Sequence, residues 1–220
     1  VLVGGDHMSI QTLRQDVLNA ALEMSRAALT RGTSGNISAR DPETGLVAIT
    51  PTSLPYETLT SEDIIVVDVN GKVVEGKHKP SSETPMHTAV YRARPDVFGV
   101  VHTHSPYATA LSVANVELPI ITIPLVALGP VKIVPFELPG SEELAKQAVA
   151  YLGTDKHAII LQNHGVLCSG PTVAKALSNA VYVEEGAQVA LFSILAGGLN
   201  PIPQAAVQKM HERRKQGKAL

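Results

Sequence analysis

Val100-Val101-His102-Thr103-His104-Ser105-Pro106-Tyr107 is the stretch from which the rest of the chain can be read. With Val97 and Phe98 before it, this apolar run reads as a buried strand. Side chains alternate along a strand, so His102 and His104 leave its carboxyl end on the same side. Two imidazoles so placed can share one ion. A second apolar run, Ala158 to Leu161, leads through Gln162-Asn163 to His164 and Gly165. Three histidines at strand ends, two of them as His-x-His, are the donor set of a catalytic zinc site, with further coordination left to a carboxylate, water or substrate. Three unrelated core or surface histidines is the competing reading. It accounts less well for a His-x-His pair flanked by Thr, Ser and Pro than by more core residues.

Composition frames what such a site can serve. At 220 residues and 45% hydrophobic content, the chain is long enough for one substantial domain, expected over 9–220. A formal net charge of −2 argues against nucleic acid and anionic membrane as partners, since both need concentrated positive charge. With 4% aromatic residues and no Trp, stacking on bases or sugars is not a theme. The single cysteine, Cys168, cannot form a disulfide within the chain, which fits a reducing compartment. No apolar run approaches the roughly 20 residues that span a bilayer. The nearest, Leu118 to Leu128, is broken by Pro119 and Pro124. A soluble, cytoplasmic protein is expected. Residues 1–8 read as a cloning remnant before a start at Met8, so His7 is left out of the site.

From Ser9 onward, Ile10, Leu13, Val17, Ala20, Ala21, Met24 and Ala28 recur at spacings of three and four. They predict a packing helix capped by Ser9 and ending near Gly32. Arg31-Gly32-Thr33-Ser34-Gly35-Asn36-Ile37-Ser38 then reads as a small-residue loop into a short strand, either an anion loop or a plain connection. Leu46 to Thr50 predicts a strand ending in the hydroxyl cluster Thr50-Pro51-Thr52-Ser53. Ile64 to Val69, Asn70-Gly71 and Lys72 to Glu75 predict a hairpin, so part of the sheet is antiparallel. Lys79-Pro80-Ser81-Ser82-Glu83-Thr84-Pro85 precedes a helix running to Arg94, and the start of a helix favours an anion. Glu83 is open to two readings, the acid of a capping box or a ligand or base facing the histidines. Helices are further expected from Pro106 to Ala114, from Ser141 to Leu152 and from Pro171 to about Ala196, and strands from Val131 to Val134 and from His157 to Asn163. The proline-broken segment from Leu118 to Leu128 reads as a loop at a subunit contact. His78, His87 and His157 lack paired spacing and are left structural. Lys209, Arg213, Arg214, Lys215 and Lys218 read as a solvated helix end in preference to a partner site.

Gly-Thr-Ser-Gly-Asn-Ile-Ser (32–38), Thr-Pro-Thr-Ser (50–53), Pro-Ser-Ser-Glu (80–83), His-Thr-His-Ser (102–105) and Gln-Asn-His-Gly (162–165) stand in the order and spacing of the class II aldolase/adducin family. Over most of the chain after Met8 the sequence resembles that family, and within it the L-fuculose-phosphate aldolase branch. The resemblance implies an α/β fold, a three-layer α/β/α sandwich with a mainly antiparallel central sheet. It also implies a homotetramer with sites near subunit contacts. His102, His104 and His164 would bind one Zn2+ per chain, or another divalent ion such as Mn2+ or Co2+. Glu83 would be the acid/base that can also contact the metal. Thr33, Gly35, Asn36, Thr52, Ser53, Ser81 and Ser82 would hold the phosphate of a sugar phosphate.

The implied activity is reversible cleavage of a ketose 1-phosphate, such as L-fuculose 1-phosphate, into dihydroxyacetone phosphate and an aldehyde. A divalent ion polarises the substrate oxygens and a neighbouring carboxylate shuttles the proton, so no Schiff-base lysine is needed. The same residues suit epimerisation of a pentulose phosphate, a dehydration, or decarboxylation of a keto-acid phosphate. An adducin-like scaffold without chemistry is the non-enzymatic alternative, and it has no use for four convergent ligands. Fuculose-specific members, as the resemblance implies, handle the aldehyde with tyrosines in the Ile-Pro segment and in the carboxyl-terminal tail. Here that segment is Ile121-Thr122-Ile123, and no tyrosine follows Tyr182. Tyr107 is the one candidate substitute.

Overall fold

The computed structural model describes residues 9–217. The opening segment 1–8 and Lys218 of the basic tail lie outside the described residues. Ser9 caps α1 (Ile10–Arg26), its hydroxyl accepting from the Thr12 N–H at 3.1 Å, and Leu13, Val17, Ala20, Ala21 and Met24 form the buried face. The helix stops short of the expected Gly32. Ala28 takes φ 55, a left-handed conformation that cannot continue a helix, and Leu29 turns back into the core at 2% exposure.

The strands are β1 (Asn36–Arg40), β2 (Val47–Ile49), β3 (Ile65–Val67), β4 (Val73–Glu75), β5 (Gly99–Thr103), β6 (Lys132–Val134), β7 (Ala158–Leu161) and β8 (Gly165–Gly170). They make one eight-stranded sheet in the order β4-β3-β2-β1-β5-β8-β7-β6. Every neighbouring pair is antiparallel except β6 with β7, so the sheet is mixed but mostly antiparallel. The remaining helices are α2 (Thr84–Ala93), α3 (Pro106–Val113), α4 (Glu142–Leu152), α5 (Val173–Leu195) and α6 (Gln204–Lys215).

Alternation along the strands divides the core in two. Val101, Val166 and Cys168 join side chains of α1, α3 and α5 in one buried cluster, while Val100, Ile159, Leu161 and Leu167 join those of α2 and α4 in another. The central strands β5 and β8 are buried along their whole length, which is why their apolar runs are nearly continuous.

Three expectations change in detail. The β3–β4 hairpin is present, but its turn is organised by Asp68, whose carboxylate accepts from the N–H groups of Asn70 and Lys72, and its register shifts at Val66/Val67. The segment from Leu118 to Leu128, expected as a loop, also packs into this chain's own core while Ile123 stays exposed. Leu118 bridges to Val131, a short 3-10 turn follows at Pro124–Ala127, and Leu118, Leu125 and Val126 are fully buried. Strand β8 has no counterpart in the sequence reading, because Gly165-Val-Leu-Cys-Ser-Gly170 is short, ends in glycines and lacks a polar alternation. On α6, Lys209, Arg213, Arg214 and Lys215 are all exposed, as a solvated helix end requires.

Candidate active site

The register of the sheet brings the site together. In β1, Asn36 pairs with His102 of β5, and in β8, Val166 pairs with Thr103 of β5. The turn between β7 and β8 therefore holds His164 beside the end of β5, with Asn163 in the left-handed region at φ 57. Gly165 is what lets the strands close. A Cβ there would lie 2.1 Å from the Thr103 carbonyl oxygen. The rings of His102, His104 and His164 form a near-equilateral triangle with centroids 4.7–5.1 Å apart, and one ligand atom from each lies within 4.8 Å of the others.

Glu83 closes the triangle from the N-cap of α2. Its side chain makes no capping hydrogen bond, so the capping-box reading does not hold. Glu83 Oε2 lies 3.8 Å from His102 Nε2, and Oε1 lies 3.9 Å from His164 Nε2. These separations are too long for hydrogen bonds. Glu83 Oε2 and His102 Nε2, and also His164 Nδ1, are buried without a partner among the described residues. Such groups are costly unless something else satisfies them. The His102 Nδ1–H donates to the Val166 carbonyl at 2.9 Å, which fixes the tautomer and leaves the Nε2 lone pair pointing at the gap. A carboxylate and three imidazoles around a gap, with orphaned lone pairs, fit a divalent cation.

Electrostatics agree with that fit. Burial, followed by repulsion from His164 and His104, holds His102 well below the ordinary histidine range. Burial and then His104 hold His164 down at about 4, and burial also lowers His104. All three rings are thus neutral ligands at neutral pH. Burial pushes Glu83 up to about 7 against the opposing Gly140 N–H. A carboxyl group tuned to that range can both take and return a proton.

The hydroxyl clusters lie beside the histidines in one cavity of about 300 Å3 lined by Thr33, Gly35, Asn36, Thr52, Ser53, Ser81, Ser82 and Glu83 as well as the three rings. Two turns are stitched together to build it. The Ser81 N–H donates to the Thr50 carbonyl, the Thr52 N–H donates to the Lys79 carbonyl, and Pro51 bridges to Pro80. Ser81 Oγ accepts from the Glu83 N–H, which ties the hydroxyl turn to the carboxylate. Gly35, at φ 75, approaches the protein's own backbone, since a Cβ would lie 2.8 Å from the His102 carbonyl oxygen. Among the described residues the cavity lining contains no lysine or arginine, so an anion there would rest on hydroxyls, amides and the α2 N-terminus.

Every residue read from the sequence as a site residue thus lines one cavity. Tyr107 does not join them. It packs near Phe192 with the rings tilted and their centroids 6.2 Å apart, and within this chain it lines a separate cavity with Glu184. Pro139 lines the site and Gly140 donates to Glu83, and neither carries a sequence signal beyond a loop preceding α4. His87, left structural from its spacing, stands directly behind Asn36. A larger cavity of about 480 Å3 opens at the other end of β1, between α1 and the start of α5. Its mostly apolar wall holds Asp16 and Glu23 but no histidine, so the chemistry points to the smaller one.

The model of the Class II Aldolase and Adducin N-terminal domain matches residues 15–191, a span that includes Glu83 and all three histidines. The 5-deoxy-D-ribulose 1-phosphate aldolase of Bacillus thuringiensis serovar kurstaki is 38% identical over 183 residues, covering 83% of this chain and 85% of that protein. The L-ribulose-5-phosphate 4-epimerase UlaF of Salmonella paratyphi A is 37% identical over 228 residues, covering 94% and 96%. A solved L-fuculose 1-phosphate aldolase superposes with a TM-score of 0.88 at 32% identity, covering 96% of this chain and 100% of that one. With its fold, its motif order and the length of these matches in agreement, the chain belongs to the class II aldolase/adducin family.

Proposed function

We infer that the protein is a metal-dependent aldolase that reversibly cleaves a ketose 1-phosphate into dihydroxyacetone phosphate and an aldehyde. The observation that carries this reading is one cavity in which a buried carboxylate with one oxygen unpartnered among the described residues faces three neutral imidazoles next to a cradle of hydroxyls. His102, His104 and His164, with Glu83 at the edge, would hold the ion, and zinc suits imidazole donors without a thiolate. When bound, such an ion supplies Lewis-acid stabilisation of negative charge on substrate oxygens.

The chain's own residues do the rest. Ser81, Ser82, Thr52, Ser53 and Asn36 bind the phosphate and so place the carbon to be cleaved beside Glu83. In cleavage, the Glu83 carboxylate takes the hydroxyl proton from the carbon that becomes the aldehyde, the bonding pair stays with the dihydroxyacetone phosphate half, and Glu83 returns the proton to the carbon of that half. In addition, the carboxylate removes the proton from that carbon and delivers it to the aldehyde oxygen as the new bond forms. The burial that raises Glu83 to about 7 keeps both forms accessible near neutral pH. A scaffold role is disfavoured, since it would not maintain a buried carboxylate with an orphaned oxygen between histidines.

The long match to a pentulose-phosphate epimerase supports a second reading, in which the same bond is broken and re-formed on the other face of the aldehyde without release. A three-layer α/β/α sandwich, zinc as the metal and a cytoplasmic homotetramer belong to the same proposal. The two core clusters support the layering, and exposed Phe136, Leu138, Phe192 and Leu195 support burial against further subunits. A product assay over a panel of ketose 1-phosphates and pentulose 5-phosphates decides the reaction. Release of dihydroxyacetone phosphate supports the aldolase. Interconversion of pentulose phosphates with no triose released replaces it with the epimerase.

A further inference from the structure

Behind the phosphate cradle runs a buried chain of hydrogen bonds. His87, fully buried on α2, lies 2.6 Å from Asn36 Oδ1 through Nε2 and 2.7 Å from Ser38 Oγ through Nδ1. Ser38 Oγ in turn lies 2.8 Å from the Tyr91 hydroxyl. The direction of this chain follows from its far end. Tyr91 is 1% exposed, and Ser38 Oγ is the acceptor its hydroxyl hydrogen has among the described residues. A buried hydroxyl hydrogen without an acceptor is costly, so Tyr91 donates to Ser38. Ser38 then gives its own hydrogen to His87 Nδ1, and the ring proton sits on Nε2, where it donates to Asn36 Oδ1.

We propose that His87 is a positioning residue: as the Nε2–H tautomer it pulls the Asn36 side-chain oxygen inward and turns the Asn36 NH2 toward the cavity as a fixed donor to the substrate phosphate. This rests on the reading of the hydroxyl cradle as a phosphate site. Asn36 lines the cavity, and its amide nitrogen has no protein partner among the described residues. Because the lining has no lysine or arginine, each neutral donor carries a large share of the anion's binding, and an amide free to flip would offer an oxygen half the time. Burial holds His87 down at about 3, so the ring stays neutral and the orientation of Asn36 does not change across the physiological range. Tyr91 and Ser38, which do not line the cavity, thereby set which atom of Asn36 meets the substrate.

The tautomer can be read directly from the ring 15N shifts of His87 in the wild-type protein. An Nε2–H ring is expected, and an Nδ1–H ring overturns the proposal. Binding of inorganic phosphate, followed by 31P NMR titration, supplies the second arm. His87→Phe should weaken phosphate roughly tenfold, on the scale of a hydrogen bond to a charged group, and His87→Gln, which keeps an N–H donor, should recover most of it. In an Asn36→Ala background His87→Phe should cost nothing further, because the two act on one interaction. A further tenfold loss in that background would mean that His87 acts through general packing, and would overturn the proposal. The control is Ser81→Ala with Ser82→Ala. If that pair loses phosphate while His87→Phe keeps it, the phosphate reading stands and the positioning role falls. If wild type binds no phosphate, the phosphate reading falls and the role assigned to His87 falls with it.

Discussion

Glu83 occupies a helix N-cap, where a carboxylate ordinarily turns back onto the first-turn N–H groups, and instead faces His102 and His164 with one oxygen unpartnered. Ser81 takes over part of the capping by accepting from the Glu83 N–H, which frees the carboxylate. Glu83→Gln keeps size and hydrogen bonding and removes the basic lone pair. The expected outcome is a fall in kcat of roughly 10²–10⁴ with phosphate affinity retained. Steady-state cleavage kinetics with metal content confirmed check this, and wild-type turnover would sink the proton-transfer role. In the proposed site His104 differs from Glu83 in acting as a ligand alone. His104→Ala should therefore lower bound zinc, expected at about one per chain in wild type for a three-histidine site, along with the rate. Elemental analysis after dialysis is the measurement, and full metal content in the variant would remove His104 from the site.

At the scale of elements, the site depends on how closely β8 lies against β5. Gly165 has an ordinary backbone conformation, so its requirement is steric. A methyl group there would overlap the Thr103 carbonyl and sit 3.3 Å from His102 Cε1. Gly165→Ala should cost about 1–3 kcal/mol through overpacking. On a chain of this length that lowers Tm by roughly 3–10 °C. The same displacement moves His164 away from His102, so zinc affinity should fall in the variant even where the protein remains folded. Thermal unfolding and zinc titration together check the pair of effects, and a change in neither would mean that the strands are not held at this distance. Glu184 illustrates a quieter kind of coupling. From α5 its two carboxylate oxygens accept from the N–H groups of Tyr107 and Ala108 and so pin the start of α3, two residues beyond His104.

For the whole molecule, buried neutral histidines make stability depend on pH. His87 is held down at about 3 in the fold, whereas in an unfolded chain it titrates near about 6.5. Between those values the unfolded state takes up a proton that the folded state refuses. The stabilisation is fully present above about 6.5 and is lost as pH falls toward 3, by up to about 1.4 kcal/mol per pH unit. Burial shifts His102 in the same direction. Urea unfolding of chelator-treated protein at about pH 7.5 and about pH 5, either side of the upper limit of that window, should show the loss. His87→Phe should lose less over the same interval, and equal losses in the two proteins would count against a buried neutral His87.

Local pattern in the sequence pointed to the three histidines, and the order of five short motifs implied the fold class through the family resemblance. His102 and His104 could be paired because a strand repeats every two residues, and the hydroxyls of Thr52, Ser53, Ser81 and Ser82 stood out because such residues cluster at turns, whereas Asn36 joined them only through the resemblance. Both are short-range rules that operate within a few residues. Tertiary structure alone decided what those residues face. That Glu83 leaves its helix for the histidines depends on β1 pairing with β5 and on β8 lying against β5, contacts between segments 60 or more residues apart for which no local spacing exists. The same limit hid β8, whose small residues carry no alternation because both faces are buried. It also hid His87, whose role comes from standing behind Asn36 across 51 residues of chain. Tyr107 is the converse case. It is adjacent to the histidines in sequence, but α3 begins there and carries its ring away from the cavity.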